Sequence, residues 1–290
     1  MTGRVAVVTD STAHLAAGDV ESQGLRVVPL QVVVDGVAVS EGPGSSFGPR
    51  EVTAALRAHV PVTTSRPSPR TFLDVYESCA ASGCTAVVSV HLSGSLSGTA
   101  DAARLAARDA PVPVHVVDSR SLGMGLGFAV LVAADAASRG LTADEVAALA
   151  LDRAVRSSAF FYVDTLEYLR RGGRVGAASA MVGTALAIKP LLHLSDGWVD
   201  LLEKVRTSAR ARSRLEDLAV ERALDASASS GGGRVDVAVH HLDNARRADE
   251  LATRLAERLP SAGSVVVTEV GAVIGAHVGP GMLAAVISPR

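Results

Sequence analysis

Ser93-Gly94-Ser95-Leu96-Ser97-Gly98-Thr99 alternates hydroxyls and glycines between a β-branched run, Val87-Val88-Ser89-Val90, and a helical pattern of Ala102, Ala103, Leu105 and Ala106. A strand, a Ser/Gly loop and a helix start point free backbone N–H groups at one spot, and glycine lets a ligand approach. The serines add donors without charge. This chemistry suits a small anionic group, a carboxylate or a phosphate. A plain βα turn capped by serine accounts for the same residues.

Two further stretches could serve the same pocket. Thr63-Thr64-Ser65, ahead of Pro67 and Pro69, supplies more hydroxyls, although such residues commonly satisfy turn backbone. His277, inside Gly275-Ala276-His277-Val278-Gly279-Pro280-Gly281, could hydrogen-bond an acyl oxygen or a phosphate, or hold a tight turn together. Charge is segregated. Residues 165–215 carry nine basic side chains, among them Arg174 and Arg206, against four acids, in a chain of net charge −2. Guanidinium groups suit phosphate or an acidic partner surface, and a solvated charged face is the ordinary alternative.

Several chemistries fail on spacing. A nucleophile elbow needs serine in the middle of Gly94–Gly98, where Leu96 stands. Gly123, Gly125 and Gly127 miss the dinucleotide fingerprint at Phe128, and there is no Walker A motif. His240-His241 with Asp243 makes a poor metal set, because adjacent strand residues face opposite ways. No cofactor is expected.

The elements that must position these residues alternate. Strands are expected at Arg4–Thr9, Leu25–Val34, Val37–Val39 and Val112–Val117, with a hairpin at Asp35-Gly36. Helices are expected at Pro49–His59, Arg70–Ala81, from about Phe128 to Ser138, and behind a Thr142/Glu145 capping box. This predicts a parallel sheet with helices on both faces, and loops after Thr9, Val90 and Val117 at one edge. Beyond Ser157 the pattern changes to α+β, with a strand at Phe160–Val163, a hairpin at Asp196-Gly197, a helix over Thr207–Asp225 and a Ser/Gly turn at Ser227–Gly233. A βαβ-like unit follows (Arg234–His240, Asn244–Arg258, Ser264–Thr268), and Val273–Ile287 reads as glycine-rich strand and loop. The expected domains are 1–157 and 158–290.

Aromatic residues are only 3% of the chain, which removes the rings that stack on bases, and the near-neutral charge offers no global attraction to nucleic acid or membrane. Cys79 and Cys84 form no disulfide framework or zinc set. The uncharged stretches Ser78–Ala100 and Val270–Pro289 are interrupted by histidine, glycine and serine or proline, so no stable membrane insertion is expected. These features predict a soluble, cytoplasmic protein.

An ordered set of motifs runs the length of the chain: Val8-Thr9-Asp10-Ser11-Thr12, Thr64-Ser65-Arg66-Pro67-Ser68-Pro69, Leu96-Ser97-Gly98-Thr99, Asp118-Ser119-Arg120-Ser121, Asp164–Arg174, Ile188-Lys189-Pro190, Glu203-Lys204-Val205-Arg206-Thr207 and His277-Val278-Gly279-Pro280-Gly281. In this the chain resembles the DegV-like fatty-acid-binding proteins of bacteria. The resemblance implies a two-domain fold, an N-terminal parallel-sheet α/β domain and a C-terminal α+β domain, with a long-chain fatty acid buried between them. It implies a carrier without chemistry of its own, presenting the acid to an ATP-dependent, dihydroxyacetone-kinase-like fatty acid kinase that makes the acyl phosphate. It places the carboxylate against Thr64, Ser65, Ser93 and Ser95, with His277 beside it, and turns Arg174 and Arg206 toward the kinase. Arg66 stands where the family motif usually has glutamine, His14 where an acid is common, and Ser93-Gly94-Ser95 where Ser-Ser-Gly is usual. The competing class is an enzyme, a hydrolase using Ser95 with His277 or an acyltransferase. For a gate, Met124 and Leu126 among the three glycines are the expected residues.

Overall fold

β-branched runs alternating with alanine-rich segments build the first half of the chain, which we describe from a computed structural model covering residues 3–42, 44–175, 189–229, 233–260, 262–263 and 265–290. Pro43, Ile188 of the Ile188-Lys189-Pro190 motif, residues 230–232 of the Ser/Gly turn and Ser264 lie outside the described residues. β1 (Val5–Asp10) leads through a 3-10 turn at Ser11–Ala13 to α1 (Ala17–Ser22) and β2 (Arg26–Val28). The hairpin β3 (Gln31–Val34) and β4 (Val37–Ser40) is followed by α2 (Pro49–Arg57), β5 (Val62–Ser65) and α3 (Pro69–Ala81). β6 (Ala86–His91), α4 (Thr99–Ala107), β7 (Val114–Asp118), α5 (Met124–Ser138) and α6 (Ala143–Arg156) complete this half.

β2-β1-β6-β7 is a four-stranded parallel sheet with helices on both faces. Phe72, Tyr76, Ala102 and Ala106 of α3 and α4 pack on Val8, Val28 and Val87. Leu126, Val130, Ala133, Val146 and Ala150 of α5 and α6 pack on the other face, with Val7, Val88 and Val90. Because β1, β6 and β7 are parallel, the loops that follow them leave from one edge, as expected.

The second half opens with β8 (Ser158–Tyr162), α7 (Glu167–Arg171), β9 (Lys189–Ser195) and β10 (Trp198–Val205). It continues with α8 (Ser208–Ser229), β11 (Val235–His241), α9 (Ala245–Arg258), β12 (Val265–Glu269), α10 (Ala272–Val278) and β13 (Leu283–Pro289). Its sheet runs β10-β9-β8-β13-β11-β12, antiparallel except for the β11–β12 pair. Leu215, Ala219, Leu251 and Leu255 of α8 and α9 cover one face. Both expected hairpins form. Asp35-Gly36 and Asp196-Gly197 all take positive φ, between 48° and 84°, as a two-residue primed turn requires.

Four elements differ from the sequence expectation. The expected strand Leu25–Val34 breaks at Pro29-Leu30 into β2 of the parallel sheet and β3 of another. Thr63-Thr64-Ser65 is no turn but part of β5, which pairs with β3 (Val32 with Thr64, Gln31 with Ser65) to make a small third sheet, β4-β3-β5. Long-range pairing satisfies the backbone that local hydroxyls were expected to satisfy. The Ser227–Gly233 turn is helical through Ser229, because α8 continues. Residues 272–278 form a helix where strand and loop were expected. α10 buries nearly every side chain, so it shows no amphipathic period, and its Val273, Ile274 and Gly275 mimic a strand. A buried carboxylate stabilises its start, as Glu41 Oε1 accepts the Val273 N–H at 2.9 Å.

Candidate ligand cavity

The first-edge loops are tied together by one carboxylate. Asp10 Oδ1 accepts from the Thr12 hydroxyl at 2.5 Å and the Thr12 N–H at 3.1 Å, and Oδ2 accepts from the Leu92 N–H and the His91 ring, each at 3.0 Å. His91 Nε2 lies 2.6 Å from Ser89 Oγ, which lies 2.9 Å from the Tyr76 hydroxyl. This is an Asp–His–Ser relay in composition, but every member is fully buried and none lines a cavity. Its role is to lock β1 to β6 and so fix Thr12 and Leu92, which do line one.

That cavity lies between the two large sheets and counts about 970 Å³ of empty space including its mouth. Leu92, Leu96 and Leu122 come from the first sheet's edge loops, Phe161, Leu194, Val199, Ala284 and Val286 from the second sheet, and Val273, Ile274 and Val278 from α10. The wall is overwhelmingly apolar. A polar group is concentrated where β5, the Ser/Gly loop, α7 and α10 meet: Thr64, Ser65, Arg66, Ser97, Arg174 and His277.

Within that group His277 Nε2 lies 2.8 Å from Thr64 Oγ1. Burial, then the charge of Arg174, pushes the imidazole down to about 4, so the ring is neutral at pH 7. Its Nδ1 is buried without a partner among the described residues. An unpaired acceptor is tolerated better than an unpaired N–H, which favours the tautomer with the proton on Nε2, donating to Thr64. The Thr64 O–H is then free to donate into the cavity. Glycine at 172 admits the ring, since a Cβ there would overlap Nδ1 and stand 2.8 Å from Cε1. Arg174 reaches across, with Nε donating to the Leu96 carbonyl at 3.1 Å and Nη1 to the Gly172 carbonyl.

The structure therefore brings Thr64, Ser65, His277 and Arg174 together at the cavity, and keeps the other expected residues away from it. Ser93 is fully buried; its hydroxyl donates to the Gly197 carbonyl at 2.7 Å and accepts the Ser95 N–H at 3.2 Å, so it locks the β9–β10 hairpin tip to the loop instead of facing the cavity. Ser95 points to the same hairpin tip and is not part of the lining; no bond joins it to His277 among the described residues, so the hydrolase pairing is not assembled. Arg206 is exposed past the end of β10. Met124 and Leu126, the residues expected for a gate, lie at the first turn of α5. They are 4% and 0% exposed at the start of α5, packed into core clusters, and the Met124 N–H donates to His240 Nε2 at 2.9 Å.

Ser97, Thr12, His240 and Gly123 line the cavity without having been singled out for it. Thr12 and His240 fall in strand-end segments that the sequence does flag, whereas nothing local separates Ser97 from Ser93 and Ser95. His240 is held neutral, pushed down to about 4 by burial, which outweighs an opposing backbone hydrogen bond at Thr268, with a smaller downward push from the charge of His241. No cluster of metal-ligating side chains occurs among the described residues, and no described helix is long and apolar enough to cross a membrane.

The architecture and this cavity define an α/β protein with an apolar space between a parallel and a mixed sheet, its polar groups concentrated where β5, the Ser/Gly loop, α7 and α10 meet. The chain belongs to the DegV family: the family model described as "Uncharacterised protein, DegV family" matches residues 4–290. A DegV domain-containing protein of Streptomyces coelicolor is 52% identical over 290 residues, covering 100% of both chains. One from Mycobacterium tuberculosis is 39% identical over 280 residues, 96% of this chain and 94% of its own. Among solved structures, a fatty-acid-binding DegV family protein of Thermus thermophilus superposes with TM-score 0.84 at 33% identity, covering 99% of this chain and 100% of that one. DegV of Bacillus subtilis, described as a fatty acid binding protein, gives TM-score 0.88 at 30% identity with the same coverage.

Proposed function

We propose that this chain binds a long-chain fatty acid in the cavity and presents its carboxylate to an ATP-dependent fatty acid kinase. The observation that carries the reading is the cavity itself: an apolar space between two sheets whose polar residues converge at Thr64, Ser65, His277 and Arg174. Related structures described as fatty-acid-binding support it. The tail lies along Leu30, Leu92, Phe161, Val270 and Ile274. Burying about 400 Å² of acyl chain contributes on the order of 10 kcal/mol before the costs of association. The Thr64 and Ser65 hydroxyls donate to the carboxylate, and Arg174 supplies the opposing charge. In the transfer step one carboxylate oxygen bonds to the γ-phosphorus of ATP held by the kinase, the bond to the β,γ-bridging oxygen breaks, and ADP leaves. The exposed cations Arg170, Lys204, Arg206 and Arg210 form no ion pair among the described residues and face the partner. The setting is the bacterial cytoplasm.

Native mass spectrometry of the purified chain, followed by delipidation and titration with palmitate and oleate, tests the binding. A co-purified fatty acid and saturable one-to-one rebinding are expected; no lipid and no rebinding overturn the reading. Adding a fatty acid kinase and ATP to the loaded protein should yield acyl phosphate, with Arg206→Ala slowing its formation most at low salt while lipid affinity holds.

A further inference from the structure

We propose that the cavity carries a second polar subsite at its β11 side, where His240 and Thr12 receive a hydroxyl borne on the acyl chain, so that hydroxylated long-chain fatty acids are ligands of this chain. The inference rests on the fatty-acid reading and names a ligand class for the same cavity.

The two polar places lie at different sides of the second sheet. The Ser/Gly loop is pinned to the β9–β10 hairpin tip by the Ser93 bond to the Gly197 carbonyl, and Arg174 reaches that loop at Leu96. His240 is on β11, with β8 and β13 between it and β9. Three strand spacings of about 4.8 Å put it roughly 14 Å across the sheet from β9. Register turns it toward the cavity. His240 pairs with Ala284, Ala284 pairs with Phe161, and all three line the cavity, so one row of side chains crosses that wall. Thr12 lines it from the first sheet's edge, where its carbonyl accepts the Gly123 N–H at 2.8 Å.

Polar atoms gather there without partners. The Met124 N–H donates to His240 Nε2 at 2.9 Å, and burial keeps the ring neutral at pH 7, so its proton sits on Nδ1. That Nδ1 is buried and has no hydrogen-bond partner at full geometry among the described residues. Thr12 gives its own proton to Asp10 Oδ1 at 2.5 Å, which leaves its oxygen as an acceptor. The His14 ring lies 5.8 Å from that of His240, and its Nε2 is likewise buried and unpaired among the described residues. So is Oε2 of Glu41, which meets His14 over Gly271: a Cβ there would overlap the carboxylate and stand 3.2 Å from the imidazole. Unpaired buried polar atoms are few in a folded chain, and three gathered beside one cavity mark a place for a polar group. A hydroxyl answers this set. It accepts from His240 Nδ1, donates to the Thr12 oxygen and brings no charge. A methylene in its place leaves both unpaired. A carboxylate would face the acids Asp10 and Glu41, with two neutral imidazoles that supply no countercharge.

The test uses the delipidated full chain and displacement of a fluorescent fatty acid by matched ligands. Ricinoleate and oleate differ by one hydroxyl in the outer half of the chain, and α-hydroxypalmitate and palmitate by one beside the carboxylate. The wild-type protein should hold ricinoleate about tenfold more tightly than oleate. It should gain nothing from the hydroxyl beside the carboxylate or from the second acid of hexadecanedioate. His240→Gln keeps an acceptor for the Met124 N–H but has no counterpart of the Nδ1 donor. His14→Asn suits the left-handed backbone at that position, where φ is 51°. Each should lower the ricinoleate-to-oleate affinity ratio severalfold, and because the ratio compares two ligands on one variant, a general loss of binding cancels. Equal affinities for ricinoleate and oleate in the wild type leave room for a buried water only and overturn the subsite. So do a preference unchanged in both variants and an equal gain from the hydroxyl beside the carboxylate. Failure of oleate and palmitate to bind the wild-type chain is a different result and rejects the fatty-acid reading.

Discussion

His277 and Thr64, 213 residues apart in the chain, meet at 2.8 Å, and this contact converts a core-facing strand hydroxyl into a directed donor. Thr64→Val keeps the β-branched shape in β5 but removes that donor. It should weaken palmitate binding by about 1–3 kcal/mol, the usual cost of leaving a charged acceptor unpaired, or roughly 5- to 150-fold in Kd. Isothermal titration against the wild type decides it, and equal affinities would remove Thr64 from the head-group site.

Gly172→Ala tests the same contact without deleting any polar group. Gly172 has an ordinary φ of −74°, so alanine introduces no backbone strain there, but its methyl overlaps the His277 ring. The ring must move from Thr64, and fatty-acid affinity should fall about as far as in Thr64→Val, with the two effects non-additive in the double variant. Full additivity would show that the glycine and the hydroxyl act separately.

Ser93→Ala should behave as a stability variant. The Ser93 hydroxyl satisfies the Gly197 carbonyl and receives the Ser95 N–H inside a fully buried site. Its loss leaves both unpaired, at about 1–3 kcal/mol, visible as a lower urea midpoint. Lipid affinity measured well below the transition should change less than in Thr64→Val; a larger loss of affinity with unchanged stability would return Ser93 to the head-group site.

Stability should depend on pH through three buried histidines. Burial chiefly holds His240 and His277 at about 4 and His14 at about 3, against an ordinary 6.5. Between those values the unfolded chain binds protons that the folded chain refuses, so stability rises with pH across the window. This contribution is complete above about 6.5 and is lost as pH falls through 4 and then 3. Glu41 acts in the opposite sense: burial raises its carboxyl above 4.5, and the stability it lends at low pH is lost as pH rises through the raised value. Urea unfolding from pH 4 to pH 8 should show the first component in the wild type and in Glu41→Gln, and the second in the wild type alone. A flat profile in both would contradict the assignment.

Much of the fold is local in origin. Asp35-Gly36 and Asp196-Gly197 dictate two hairpins because only residues tolerant of positive φ close a primed turn. The Thr142/Glu145 capping box starts α6, and the β-branched runs before Asp10, His91 and Asp118 put three polar loops on one sheet edge. The hydroxyl-rich stretches, the isolated His277 and the arginine-rich segment were likewise legible, because residue type and spacing state what chemistry is present.

Which of those residues share a site was decided only by tertiary structure. Ser93, Ser95 and Ser97 are equivalent by spacing, yet the Gly197 hairpin tip claims Ser93 and stands beside Ser95, and Ser97 alone faces the cavity. α10 is too completely buried to show a helical period, and β5 is a strand because β3 lies beside it. Met124 and Leu126 look adaptable among glycines, and only the fold shows that they are buried against the second sheet and the core. The physical reason is common to all four cases. Local sequence sets backbone preference and side-chain chemistry, whereas long-range packing determines which hydroxyl is spent on structure and which remains free to meet a ligand.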